Sequence, residues 1–262
     1  MNNITGIIIT LNEEKNIREC ILSLQQLCNE ILVVDSESTD KTREIAEELG
    51  AKVYVQPYLG DGFQKNAGLK YANNPWIFSL DADERLTSEL VAAVNALDLN
   101  STPHWGFAVR RRNHIGSRWV RCCGWYPDYL VRLFRKDKLQ FTETKQHASV
   151  SQKNTCKLQA DITHHTYSNI GELFSKPARN YSTRSAKIMY INGKRANAFS
   201  PFHHGLWAFM RSYFFQKGLF GGVDGFTLSL SIACNAYLKY AKLLEYQKDE
   251  TVRNNEDFDK VW

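Results

Sequence analysis

The sequence predicts an α/β fold: a mostly parallel mixed sheet flanked by helices, continued by a helical C-terminal extension. Three observations predict it. Short apolar runs alternate with helical periodicities through the first 80 residues, and clusters of acidic and hydroxyl side chains follow the apolar runs. After residue 170 the pattern turns helical, basic and then aromatic.

Ile4 to Thr10 is a β-rich run. It leads into a helix whose buried face is Ile17, Cys20, Ile21 and Leu24, with Asn12 as its expected cap. Ile31 to Val34 is the second strand and ends on Asp35. Thr39 is the expected cap of a second helix that buries Ile45, Ala46 and Leu49 and stops at Gly50. Lys52 to Val55 reads as a strand, Phe63 to Tyr71 as a helix and Trp76 to Leu80 as a strand. Strands alternating with helices imply βαβ units, whose loops after the strand ends form a ligand crevice. Trp105 to Arg112 reads as a further strand of alternating character with a basic end that can reach phosphate or acceptor. In the stretch from Lys176 to Arg195, spacings of three bring Lys176, Arg179 and Lys187 near one helix face.

Hydrophobic content of 43% fits a globular enzyme, and the net charge is +5, unevenly distributed. Residues 1–104 carry −8, residues 105–215 carry +14 and the remainder −1. A basic middle segment suits an anionic partner such as a phosphorylated substrate or a membrane surface. A nucleic-acid partner is disfavoured, because the basic residues form no nucleic-acid motif. The six cysteines lack a CxxC pair, and adjacent Cys122 and Cys123 would form a strained disulfide, so free thiols in a reducing cytosol are expected. The N-terminus has no basic region ahead of its short apolar stretch and does not read as a signal peptide. Gly225 to Leu238 is too short and polar to span a bilayer. The aromatic segment with Trp207, Met210, Tyr213 and Phe214 can either lie on an anionic membrane or pack on the catalytic domain. These features lead to a cytoplasmic protein, soluble or peripheral on the inner membrane. The expected organisation is a catalytic domain over 1–165, a helical basic region over 166–246 and a polar, disordered tail over 247–262.

Asp81, Asp83 and Glu84 stand together after an apolar strand. Three carboxylates so close repel one another unless a cation neutralises them, so a divalent metal is one reading. The other is a solvated acidic turn before a helix capped by Thr87. Neither GxGxxG nor GxxxxGK[ST] occurs, which disfavours dinucleotide oxidoreductases and P-loop nucleotidases.

T-L-N-E-E at 10–14, V-V-D-S-x-S-T-D at 33–40, Q-K-N-A-G at 64–68 and D-A-D-E at 81–84 together resemble family 2 glycosyltransferases of the GT-A (Rossmann-like) fold. The resemblance implies a nucleotide-sugar donor, a divalent cation (Mg²⁺ or Mn²⁺) and inversion at the anomeric carbon. It sets Leu11 and Glu13 beside the nucleoside, Asp35 on the base, Lys65 near the diphosphate, Asp81 near the ribose or metal and Asp83 on the metal. Asp128 resembles the family's general base, since it follows the metal motif by 45 residues and precedes the L-x-R pattern of Leu130 and Arg132. Asp128 can equally complete a Pro-Asp turn. Trp125, which can stack on a sugar, and Arg132 join the expected substrate-binding residues. His147 is expected to ligate the metal or touch the diphosphate. Related sequences carry His-Glu there, whereas Ala148 follows here, which leaves Glu143 and His147 as alternative bases.

The W-Y-P-D block at 125–128, the stretch from His164 to Ser182 and the G-L-F-G-G-V-D-G-F loop at 218–226 are similar to lipopolysaccharide inner-core glucosyltransferases. That narrower resemblance implies transfer of a hexose, glucose from UDP-glucose, to a heptose of the lipopolysaccharide core. The alternatives are transfer to a polyprenyl phosphate and a non-catalytic sugar-nucleotide-binding protein.

Overall fold

Strand β1 (Ile4–Thr10) is buried along nearly its whole length because both of its faces are covered, and the first part of the chain is built around it. The computed structural model describes residues 3–144 and 148–255, without the side chains of 253–255. It divides into two compact units, one of residues 1–112 and 127–165, the other of 113–126 and 166–262.

In the first unit, β1 leads through helix α1 (Ile17–Leu24) to β2 (Glu30–Asp35), and α2 (Thr42–Glu48) leads to β3 (Lys52–Val55). Helix α3 (Asp61–Tyr71) then precedes β4 (Trp76–Asp81), the short β5 (Glu84–Leu86) and α4 (Ser88–Asn95). Strands β6 (Gly106–Ile115), β8 (Tyr129–Arg135) and β9 (Thr155–Tyr167) follow, with β7 (Arg118–Trp119) paired to the end of β6 in the second unit. The sheet order is β3-β2-β1-β4-β8-β6-β9-β5. The strands from β3 to β4 are parallel, as helical crossovers require, while β8 runs antiparallel to both β4 and β6. This is the mixed, helix-flanked sheet expected for a GT-A fold.

Strand alternation divides the core. Ile4, Ile8, Val33, Phe78 and Leu80 meet α1 and α4 on one face, and Ile7, Leu32, Ile77 and Phe134 fill the other. Gly68 of α3 allows that helix to close on the second face, since a Cβ there would lie 2.8 Å from the Ile7 side chain. Thr87 caps α4 as expected, its side chain accepting from the Leu90 N–H.

Several local expectations are corrected. Helix α1 begins at Ile17 and α2 at Thr42, so neither Asn12 nor Thr39 is a cap. Instead Asn12 takes a left-handed backbone (φ 56°) and its Oδ1 accepts the Thr39 N–H at 2.9 Å, tying the two loops together. The first four residues of β6 are all buried rather than alternating, because β6 lies inside the sheet between β8 and β9.

The second unit is largely helical: α5 (Ile170–Lys176), a π-helical turn at Pro177–Tyr181, α6 (Ser182–Ile191), α7 (Ser200–Met210), a second π-helical turn at Arg211–Phe215, a 3₁₀ turn at Gly218–Gly221 and α8 (Gly222–Lys248). The first π turn breaks the regular spacing between Lys176 and Lys187, and Lys187 is buried, so the expected basic face does not form. Gln247 is ordered, pairing both its amide groups with the Ala196 backbone, and Glu250–Asn255 is helical. The expected disorder is thus corrected up to residue 255, and 256–262 lie outside the described residues. The cysteines are free thiols, and among the described residues no helix is long and apolar enough to cross a membrane.

At the N-terminal edge of β1 and β2, Glu30 binds Thr5 Oγ1 at 2.7 Å, Lys52 Nζ at 2.8 Å and the Asn73 N–H at 2.9 Å. Burial alone would raise its carboxyl, but these donors and the Lys52 charge lower it to about 2. Because the folded value lies below the unfolded one, this stabilisation is complete above the ordinary glutamate range and is lost as pH falls towards 2. Glu30→Gln is therefore expected to lower stability at neutral pH by on the order of 2 kcal/mol. Urea unfolding should show the difference from wild type shrinking on acidification; a pH-independent difference would exclude the ionic origin.

Candidate active site

The register of the parallel strands decides which side chains meet. Thr10 pairs with Asp35 and Ile9 with Asp81, so β1, β2 and β4 end level and their loops lie on one edge. The loop after β1 is stitched to the loop after β2 by short polar side chains. Asp35 is fully buried, and its carboxylate accepts from Thr10 Oγ1 (2.8 Å), Ser38 N (2.8 Å) and Ser38 Oγ (2.5 Å). Ser38 Oγ accepts the Asn12 N–H at 2.8 Å, and Thr42 Oγ1 accepts the Glu13 N–H at 2.7 Å. Leu11 is left exposed, and Glu13 accepts from Asn16 Nδ2 at 2.7 Å. Three of the roughly four acceptor positions of the Asp35 carboxylate are thus used inside the protein.

Beside this lies a run of alternating charges. Lys65 of α3, itself buried, donates to Asp81 Oδ1 at 2.7 Å. Arg132 of β8, only 4% exposed, donates to Asp81 Oδ2 at 2.9 Å and also to Glu84 Oε1. Glu84, fully buried, closes the turn by accepting the Asp81 N–H through Oε2 at 3.1 Å. Arg111 of β6 lies 3.6 Å from Glu84 and clasps Asp128 Oδ2 through Nη2 at 2.7 Å and Nε at 2.9 Å. The order is Lys65, Asp81, Arg132, Glu84, Arg111, Asp128. Burial would raise the Asp81 carboxyl, but Lys65 and Arg132 hold it well below the usual carboxylate range, so it stays ionised.

Asp83 stands outside this run. Its carboxylate is 33% exposed and lies 3.2 Å from His164 Nε2, while its backbone carbonyl accepts the His165 N–H at 2.9 Å. Arg85 braces the turn by donating to the Ala82, Glu84 and Asn16 carbonyls. The expectation that a metal neutralises all three carboxylates is corrected: the protein's own Lys65 and Arg132 neutralise Asp81 and Glu84.

The structure therefore brings Lys65, Asp81, Arg132 and Asp128 into one network, with Asp83 in the turn between Asp81 and Glu84 but outside that network, next to the strand ends that carry Leu11, Glu13 and Asp35. Arg132, expected on substrate, spends its charge on buried carboxylates. Trp125 belongs to the second unit, where its ring stacks on Tyr167 at 6.2 Å and packs beside a buried cluster. His147 lies outside the described residues, and Ala148 packs against the apolar cluster on the second face of the sheet. The basic end of β6 does not offer its arginines to phosphate: Arg110 and Arg112 point to buried Asp161 at 2.8 and 2.6 Å, and Arg111 to the opposite face.

Sequence reasoning gave Arg111 and Asn66 no individual role, and His164, which with His165 could approach phosphate or simply end a strand, lies beside Asp83. Asn66 makes two 3.0 Å hydrogen bonds with the Phe141 backbone and so anchors the segment that leads towards His147. Only the period-two alternation along R-R-R at 110–112 could have separated Arg111 from its neighbours.

A mixed α/β sheet with acidic loops gathered at the carboxyl ends of its parallel strands defines a ligand-binding α/β enzyme site. The chain belongs to glycosyl transferase family 2, whose family model matches residues 5–146. It is similar to an uncharacterized glycosyltransferase of Rickettsia felis, 32% identical over 257 residues that cover 94% of this chain and 90% of the relative. The lipopolysaccharide core biosynthesis glycosyltransferase LpsC of Rhizobium meliloti is 28% identical, with 92% of each chain covered. Among solved structures, S. aureus TarS 1-349 aligns over 94% of this chain and 91% of its own, with 15% identity and a TM-score of 0.49.

Removing one partner of a buried ion pair leaves the other uncompensated. Arg132→Met is expected to destabilise the protein by about 3–5 kcal/mol, and Arg132→Met combined with Glu84→Leu by clearly less than the sum of the two single variants. Additive losses in urea unfolding would show that the pair is not coupled.

Proposed function

We propose that this glycosyltransferase is an inverting, metal-dependent enzyme that moves glucose from UDP-glucose onto a heptose of the lipopolysaccharide inner core. The observation that carries the reading is a pair of part-exposed carboxylates on one network of turns: Asp128, held by Arg111 at the end of the ion-pair run, and Asp83, beside His164 in the turn that the run braces through Asp81 and Glu84. The likeness to LpsC supports a lipopolysaccharide-core acceptor.

The donor set suits a hard divalent cation. Among the described residues no cluster of three or more metal-ligating side chains occurs, so the protein would bring Asp83 with His164 beside it, and His147 from the segment outside the description. Mg²⁺ or Mn²⁺ commonly takes few protein ligands and fills its shell with phosphate oxygens and water. When bound, the cation offsets the charge on the leaving diphosphate. Leu11, Glu13 and Asp35 serve the nucleoside, Asp81 faces the ribose, and Lys65 sets the charge of Asp81 next to the diphosphate. Arg132 positions Asp81, and Trp125 serves the acceptor.

In the reaction, the acceptor hydroxyl oxygen bonds to the anomeric carbon as the bond from that carbon to the diphosphate oxygen breaks, and the hydroxyl proton passes to Asp128. Both Arg111 contacts fall on Oδ2 of Asp128, which leaves Oδ1 for that proton. An acceptor of this kind sits in a membrane, so the reading includes peripheral contact of the protein with an anionic membrane surface on its cytoplasmic side.

A panel of UDP- and ADP-sugars with heptose-bearing core acceptors, read by product mass, tests the assignment. Addition of one hexose from UDP-glucose is expected; transfer only to a polyprenyl phosphate would replace the acceptor. Asp83→Ala should abolish transfer in the presence of Mg²⁺ or Mn²⁺, and near-wild-type turnover would remove Asp83 from the cation site. Asp128→Asn should retain donor binding and lose transfer by about 10²-fold or more. A normal kcat for that variant would shift the base to Glu143 or His147.

A further inference from the structure

In the second unit, α7 and α8 run antiparallel, with Phe202 against Tyr237 (5.4 Å) and Phe209 against Phe226 (5.7 Å). Small side chains allow this close pairing. A Cβ on Gly225 would fall 1.9 Å from the Gly218 carbonyl oxygen, one on Gly205 would fall 3.2 Å from Tyr237, and Ser212 and Ser229 share a hydrogen bond of 3.1 Å. Beyond these ring contacts, many large apolar side chains remain exposed. Phe202, Leu206, Met210 and Phe214 form an exposed row along α7 and its π turn at spacings of four. At the connecting tip and the start of α8, Phe220 is 83% and Val223 80% exposed.

The chain that leads into this face is basic. Residues 173–223 contain eight Lys/Arg and no Asp/Glu. Asp224, at the start of α8, is paired with Arg118 at 3.1 Å. Exposed Arg211 and Lys217 flank the tip. A second copy meeting this face through a two-fold axis would bring cation against cation. An anionic leaflet complements it: apolar rings enter the headgroup and acyl boundary while the basic side chains meet lipid phosphate.

We propose that the α7–α8 hairpin is the membrane-docking surface, with Phe220 and Val223 at its tip inserted into a leaflet that carries anionic lipid. The inference deepens the peripheral contact proposed above and rests on it, but is independent of the donor and acceptor assigned there.

Flotation of the full chain with vesicles of phosphatidylcholine, alone or mixed with phosphatidylglycerol, tests it without any sugar donor. Wild type should bind the mixed vesicles more strongly, and salt should weaken that binding. Phe220→Ser with Val223→Ser should reduce partitioning at least about tenfold, as loss of inserted apolar groups implies. Arg211→Gln with Lys217→Gln should reduce it by about tenfold on the mixed vesicles alone. Leu22→Ser, an exposed apolar change on α1, should bind as wild type does. Circular dichroism should be unchanged in every variant, since the altered side chains are exposed. No binding by wild type, or equal binding by the Phe220 and Val223 variant, overturns the proposal. So does a wild-type dimer that the same variant converts to monomer, which would assign the face to a second copy. If vesicle binding behaves as expected while no sugar is transferred, the donor and acceptor assignment fails and the docking surface stands.

Discussion

Arg132 places a permanent positive charge in the interior of the first unit, and the geometry of the site follows from neutralising it. Two carboxylates are needed near the guanidinium, and the turn between β4 and β5 supplies them as Asp81 and Glu84. The antiparallel pairing of β4 with β8 brings Arg132 beside that turn although about 50 residues separate them in the chain. Two carboxylates then over-neutralise one cation, and Lys65 and Arg111 correct the balance from either side before Asp128 closes the run. Three positive and three negative side chains are held in register. A buried pair of this kind contributes little net stability compared with apolar packing, but it fixes position strongly, because a displaced member leaves a buried charge without a partner. That constraint is what holds Asp128 of β8's leading edge in a set relation to the turn that carries Asp83.

The parallel half of the fold was legible because its signals are local. β2 and β4 are largely apolar runs buried along nearly their whole length, and α1 shows its buried apolar stripe within eight residues. The motifs at residues 10–14, 33–40 and 81–84 were legible for a related reason, since register puts successive strand ends side by side. Their internal bonding was not. Asn12 and Thr39 each looked like a helix cap, and both side chains prefer such positions. They bond to each other instead, because the left-handed turn at Asn12 sends its amide across to the next loop. Arg111 and Arg132 were harder still. Nothing local shows that neighbours in R-R-R face opposite sides of a sheet, or that the arginine of an L-x-R pattern is buried, until the partner strands are known.

The second unit inverts the usual logic of an amphipathic helix pair. Two packed helices ordinarily turn their large apolar side chains towards each other and present polar ones to water. Here glycine, alanine and serine occupy much of the seam, ring pairs such as Phe209 with Phe226 bridge it, and other large apolar side chains stay exposed. Periodicity alone does not distinguish the two arrangements, since large apolar residues at helical spacing mark a stripe without saying what covers it. The small residues do distinguish them. Gly225 packs so closely on the Gly218 carbonyl that no Cβ fits there, while nearby Phe220 and Phe226 remain exposed.

The separation of roles within D-A-D-E follows from the same electrostatic constraint. A cation binding at Asp81 would have to displace Lys65 at 2.7 Å and Arg132 at 2.9 Å, and Arg132 has no solvated position to retreat to. At Glu84 it would have to reach a fully buried carboxylate. Asp83 presents neither obstacle. Its carbonyl is pinned by the His165 N–H, so the turn is held, while its side chain remains part-exposed beside the His164 imidazole. An exposed carboxylate costs little while hydrated, and exchanging water for a divalent cation requires no protein ion pair to break. On the proposed reading, the two carboxylates that the protein neutralises itself build the turn, and the one it leaves hydrated is the one available to hold the metal.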